Sequence, residues 1–138
     1  MIRCIMAIVY SWQNDEPEYL LLKRNAALGG YWQPVTGFIE GPETNLEAAL
    51  REFHEETGIK DYEKVFDPAH HYFFDMNGKK CTISVLAIEV KNKPEVILSY
   101  EHTTFKWVNF QEASEMLYWK NNVEALTILH QQITASSM

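Results

Sequence analysis

From Ile2 to Tyr10 the chain is almost continuously β-branched and apolar, the pattern of a buried strand. Ser11 to Pro17 is polar and carries Asn-Asp and Pro, which predicts a loop. Tyr19 to Arg24 reads as a second strand ending in two cations, and Asn25 to Gly30 as a turn closed by two glycines. Trp32 to Ile39 is short and extended, interrupted by Pro34 and Gly37. The clearest helix runs from Asn45 to Thr57, with Thr44 or Glu43 at the N-cap and Gly58 just past the end. Leu46, Ala49, Leu50 and Phe53 cluster on one side of it and predict its buried face. Val65 to Asp75 and Lys80 to Val90 are strand-like, and Asn77-Gly78 between them predicts a two-residue hairpin. Thr103 to Val108 is a further strand. Phe110 to Leu117 and Asn121 to Ile133 are helical, with Leu126, Leu129 and Ile133 on one stripe. Strands mixed with two or three helices predict an α/β sandwich around a mixed β-sheet.

The 138 residues suit one domain spanning 1–138. A composition of 46% hydrophobic and 22% charged residues excludes a disordered chain. No apolar run approaches the ~18 residues of a membrane span. The N-terminal run Met1–Ala7 reads as a strand and not as a signal peptide. Two cysteines, Cys4 and Cys81, make no disulfide framework; as buried thiols they fit a reducing cytoplasm. Twelve Lys and Arg against nineteen Asp and Glu leave a net charge of −7, a poor surface for a nucleic-acid polymer. A small phosphorylated substrate remains compatible if a cation supplies positive charge.

Such a device is present in the helix. Glu52, Glu55 and Glu56 fall within about 100° of one another at helical spacing, on the border between the apolar face and solvent. A solvated acidic face is the ordinary reading of such a run. Two features argue against it: Arg51 stands among the acids, four residues from Glu47 and Glu55 and within reach of Glu43, and glycines bracket the unit at 37 and 58. Gly37 to Ile59 as a whole fits G-x5-E-x7-R-E-U-x-E-E-x-G-U, with U bulky and apolar. A chance match at one start position is on the order of 10⁻⁹.

This segment resembles the signature of the Nudix hydrolases and is complete; Phe53 replaces the usual aliphatic residue, and Pro42 the usual Gly before Glu43. The resemblance implies a Nudix-type α/β/α sandwich and hydrolysis of a diphosphate linkage. It also implies Mg²⁺ or Mn²⁺ as cofactor, in keeping with oxygen-only ligands. Glu52, Glu55, Glu56 and the backbone carbonyl near Gly37 become metal ligands by this resemblance. Arg51 joins the catalytic set by orienting the acids through ion pairs without touching substrate.

Two stretches outside that signature are similar to bacterial dihydroneopterin triphosphate pyrophosphatases: Trp32-Gln33-Pro34-Val35-Thr36-Gly37 and Glu101-His102-Thr103-Thr104-Phe105-Lys106-Trp107. Trp119, Asn122 and Ala125 echo the same proteins. That similarity implies a nucleoside or pterin triphosphate cut to a monophosphate and pyrophosphate. Glu101 becomes a further carboxylate, metal ligand or general base, and either Glu52 or Glu101 can activate the attacking water. Arg24, Trp32 and Lys106 are candidate substrate contacts. Arg24 would grip a phosphate or merely end a strand. Trp32 would stack on a ring or pack in the core. Trp107 and Trp119 are expected in the core, His70-His71 on a polar strand edge, and His54 exposed. Phe73 to Asn77 lacks the Pro or Tyr that marks ADP-ribose and dinucleoside polyphosphate hydrolases of the family. Those substrates, oxidised guanine triphosphates and a nucleotide sensor without activity are the alternatives. Exposed strand edges suit a homodimer.

Overall fold

A computed structural model describes residues 1–136 of the chain. The first strand, β1 (Ile2–Gln13), sets the architecture. Its side chains alternate, so Ile5, Ala7 and Val9 enter one apolar cluster while Cys4, Met6, Ile8 and Tyr10 enter another. A strand buried on both faces needs a helical layer on each side. Helix α1 (Asn45–Thr57) covers the first face with Ala48, Ala49 and Phe53. Helices α2 (Phe110–Met116) and α3 (Lys120–Ser136) cover the second with Ala113, Leu126, Leu129 and Ile133. The result is the expected α/β/α arrangement.

The remaining strands are β2 (Glu16–Arg24), β3 (Trp32–Gln33), β4 (Val35–Phe38), β5 (Lys64–Phe66), β6 (His71–Met76), β7 (Lys79–Glu89) and β8 (His102–Val108). They form one sheet with β3-β2-β1-β7-β5 in order; β4 pairs with β1, β6 with β7 and β8 with β2. Among the described strands the β1–β7 pair is parallel and the other pairs are antiparallel, so the sheet is mixed, as expected.

Three expectations need correction. The loop at Ser11–Pro17 is far tighter than predicted: Gln13 pairs with Glu16, leaving Asn14-Asp15 as a two-residue turn. Asn14 adopts a φ of 60°, a left-handed conformation that Asn tolerates, so polar composition marked a hairpin end and not a long loop. The run Val65–Asp75 is two strands, not one. Pro68 lacks the N–H for a ladder and Ala69 has a φ of 57°, so the chain breaks before returning to β7 as β6. Leu46 is exposed, and the buried face of α1 is formed by Ala48, Ala49, Phe53, Glu56 and Thr57. The face is rotated toward Glu56, which places a carboxyl group inside the protein.

The hairpin at Asn77-Gly78 is as expected, both residues having positive φ (51° and 82°). His54 is exposed, while Cys4 and Cys81 are buried free thiols. No helix among the described residues is long and apolar enough to cross a membrane.

Candidate active site

The carboxylate helix is fixed at both ends by local chemistry. Thr44 Oγ1 accepts from Glu47 N–H at 3.1 Å while Glu47 Oε1 accepts from Thr44 N–H at 2.9 Å, a reciprocal cap. At the other end Gly58 turns left-handed (φ 70°) and donates to His54 O at 3.0 Å. These caps set where along the helix the acids project. Glu47 is therefore occupied by the cap and is not the partner of Arg51 that its spacing allowed.

Arg51 is the hub of the acids. Its Nε lies 2.8 Å from Glu43 Oε2 and one terminal nitrogen 3.0 Å from Glu43 Oε1, a fork on one carboxylate. The other terminal nitrogen bonds Glu52 Oε1 at 2.8 Å and lies 3.4 Å from Glu55 Oε2, and Phe38 O accepts a further bond at 2.9 Å. Arg51 thereby ties α1 to β4. Hydrogen bonding by this guanidinium holds the Glu43 carboxyl down to about 2. The same contacts, led by Glu43, raise the guanidinium itself well above its usual range.

Across from the helix, Gly37 sits in β4 opposite Ile5 of β1. A Cβ on Gly37 would collide with the carboxyl end of Glu52. Glycine is required there because a carboxylate packs directly on the backbone.

The three acids differ in environment. The Glu55 side chain is 57% exposed, that of Glu52 13% and that of Glu56 3%. Neither carboxyl oxygen of Glu56 has a hydrogen-bond partner. Burial, then Glu52, then Glu101 push the Glu56 carboxyl far above the usual carboxylate range. Its nearest basic group is His102 Nε2, 3.8 Å from Glu56 Oε1. Burial, aided by the positive charge of Arg24, pushes His102 down to about 4, so the imidazole is neutral at neutral pH and offers no countercharge. A buried carboxyl without a partner, beside two more carboxylates, fits a site for a hard cation. Among the described residues no three acidic, His or Cys side chains form a ready-made metal cluster. A cation held here would complete its shell with carbonyl, water and substrate oxygens, the habit of magnesium.

These groups open onto a cleft of about 740 Å³. Gly37, Glu52, Glu101 and Arg24 line it, so four of the predicted residues converge on one space. Glu56 lies behind that surface and Glu55 outside it. Two candidates are elsewhere. Trp32 pairs with Lys23 and is half-buried, packed against the cluster beneath α2 and α3 and absent from the cleft lining. Lys106 lies on β8 with Nζ 2.7 Å from Glu112 Oε2, an ion pair outside the cleft.

Trp119, expected in the core, is 48% exposed and lines the cleft. It meets Tyr31 edge to face at 5.5 Å, and Tyr31 stacks on Tyr118 at 5.6 Å. The Arg24 guanidinium lies 5.9 Å over the Tyr31 ring. Tyr72 and Phe74 of β6 also line the cleft, with Asn122 accepting from the Tyr72 hydroxyl at 3.5 Å. Sequence reading missed Tyr31, Tyr72, Phe74, Gln33 and His102. Period-two alternation in β6 was the available signal for Tyr72 and Phe74, and the motif stretches already contained Gln33 and His102.

Comparison with known proteins identifies the family. The family model of the NUDIX domain matches residues 3–130. The chain is 31% identical over 135 residues to a dihydroneopterin triphosphate diphosphatase of Haemophilus influenzae, covering 88% of this chain and 83% of that protein. It is 29% identical over 127 residues to the asymmetrical bis(5'-nucleosyl)-tetraphosphatase of Mus musculus, covering 90% and 86%. An octanoyltransferase of Myxococcus xanthus is 31% identical over 125 residues; the match takes 84% of this chain but spans only 33% of that longer protein. Among solved structures, a Caenorhabditis elegans Ap4A hydrolase in a binary complex superposes with a TM-score of 0.85 at 22% identity, covering 98% of this chain and 99% of that one, which shows the shared fold. The matched family model takes in far more than half of the sequence, so the chain belongs to the Nudix hydrolases, enzymes that act on phosphoanhydride bonds.

Proposed function

We propose that the chain, acting as one domain over 1–138, cleaves a nucleoside or pterin triphosphate into a monophosphate and pyrophosphate. The observation that carries this reading is the lining of the cleft. Its lining combines the acids Glu52 and Glu101, beside Gly37, with the aromatic rings Tyr31, Trp119, Tyr72 and Phe74. A flat heterocycle suits the aromatic rings and a charged phosphate chain suits the acids once a cation is present. The similarity to the Haemophilus diphosphatase supports the same substrate class.

Glu52, Glu55, Glu56, Glu101 and the carbonyl at Gly37 would hold Mg²⁺ or Mn²⁺. Such a cation, when bound, neutralises charge on phosphate oxygens and lowers the pKa of water. Arg24 donates to the phosphate chain from the cleft wall, with Tyr31 beneath its guanidinium. Arg51 is a positioning residue: every nitrogen of its guanidinium faces a protein acceptor, and it fixes Glu52 in place. Glu52 or Glu101 takes the proton from the attacking water. The buried thiols Cys4 and Cys81 suit a reducing cytoplasm.

A dinucleoside polyphosphate is the second reading, favoured by exposed rings at the cleft mouth. Tyr100 is 86% and Phe38 52% exposed, and both line the cleft where a second base could rest. The similarity to the mouse tetraphosphatase supports it.

A panel of dihydroneopterin triphosphate, deoxynucleoside triphosphates, 8-oxo-dGTP, Ap4A and ADP-ribose, assayed with Mg²⁺ for pyrophosphate and for monophosphate, separates these readings. The first expects pyrophosphate from a triphosphate at the highest kcat/KM; a clear preference for Ap4A supports the second. Glu56→Gln lowers turnover by orders of magnitude with the fold intact. Parent turnover in that variant overturns the ligand set.

A further inference from the structure

Glu101 reaches the cleft from a loop, and a carboxylate on a loop needs its backbone held. Contacts within the loop are long: Glu101 N–H donates to Ser99 Oγ at 3.4 Å and His102 N–H to Ser99 O at 3.3 Å. The β2–β8 ladder does not hold it either, because register slips between Lys23 and Arg24 and the pairing stops at His102. The shorter contacts come from one residue at the end of β2. Asn25 donates its backbone N–H to Glu101 O at 2.9 Å and its side-chain Nδ2 to Tyr100 O at 3.0 Å. Its Oδ1 accepts from Leu28 N–H at 3.0 Å, and its carbonyl accepts from Gly30 N–H at 3.1 Å. Asn25 thus joins the turn that leads to Tyr31 with the loop that carries Tyr100 and Glu101. Leu28, Tyr31, Tyr100 and Glu101 all line the cleft, whereas Asn25 itself does not.

We propose that Asn25 is a positioning residue that fixes the Glu101 carboxylate against the carboxylate helix by clamping the backbone at 100–101 to the end of β2. This rests on the reading of Glu101 as metal ligand or general base. The main-chain bond survives substitution, but the amide donor to Tyr100 does not. In N25D an oxygen still caps the turn at Leu28, while the donor is replaced by a negative charge facing a carbonyl. N25S likewise keeps an acceptor and is too short to reach Tyr100.

The test combines amide hydrogen exchange with a double-mutant cycle. In N25D and N25S, exchange over residues 99–102 rises about tenfold or more while α1 keeps its parent protection, a result independent of turnover. With Mg²⁺ and dihydroneopterin triphosphate or Ap4A, kcat falls about tenfold and KM stays within about twofold, because the lost alignment concerns the reacting groups and not uniform binding. In the E101Q background, N25D lowers kcat no further. Parent exchange rates in the loop overturn the clamp. An impaired E101Q in which N25D multiplies the loss shows that Asn25 does not act through Glu101, and also overturns the proposal. An E101Q with parent kcat is a separate failure: it removes the role of Glu101, and the catalytic purpose of the clamp with it.

Discussion

Two arginines in and beside the cleft illustrate how environment separates identical side chains. The Arg51 guanidinium is taken up by Glu43, Glu52, Glu55 and the Phe38 carbonyl. Arg24 lines the cleft with its guanidinium over the Tyr31 ring, its buried Nε having no hydrogen-bond partner. Of the two, Arg24 is the one whose side chain borders the cleft. Glu43, on the Arg51 fork, has an ordinary carboxyl value of 4.5 and is lowered to about 2 when folded. A group depressed in the folded state stabilises it above the unfolded value and loses that contribution as pH falls through the folded one. Glu43→Gln therefore melts below the parent by a constant margin from pH 7 to about 5, and the margin closes between 4.5 and about 2. A margin unchanged at pH 2 would show that the Arg51 pair is not its source.

Elements differed in how far local sequence specified them. Helix α1 was legible to the residue because both ends are set by short-range bonds, Thr44 with Glu47 and Gly58 with His54. The hairpin at Asn77-Gly78 was legible for the same reason. In Val65–Asp75 the break was marked locally by Pro68, but the two registers that make β5 and β6 depend on segments docking successively along β7. Gly58 also has a long-range constraint that no local pattern shows. A Cβ there would stand 2.9 Å from Ile97 Cβ, on top of the φ of 70°. Gly58→Ala should lose about 1–3 kcal/mol of unfolding free energy in urea, from left-handed strain and displacement of Ile97. Stability equal to the parent would mean that the Ile97 segment moves aside freely.

The assembled sheet brings distant segments to one cleft: β2 supplies Arg24, β4 Gly37, α1 Glu52, the loop before β8 Glu101, and the start of α3 Asn122. Because Glu56 is buried there without a partner, a cation that binds the folded state raises its stability by mass action. Mn²⁺ at about a hundredfold excess over its Kd should add about 2.7 kcal/mol to the parent, read as a rise in Tm, and markedly less to Glu56→Gln. An equal rise in both would place the cation elsewhere. The pattern of acids, glycines and a capped helix along the chain was sufficient for the fold class and the carboxylate helix, because those depend on spacing between neighbours. It could not say that Glu56 is buried while Glu55 is exposed, that Trp32 packs half-buried against the core while Trp119 lines the cleft, or that Lys106 is engaged with Glu112. Those outcomes depend on which segments meet across the sheet, and burial and partners are properties of that meeting.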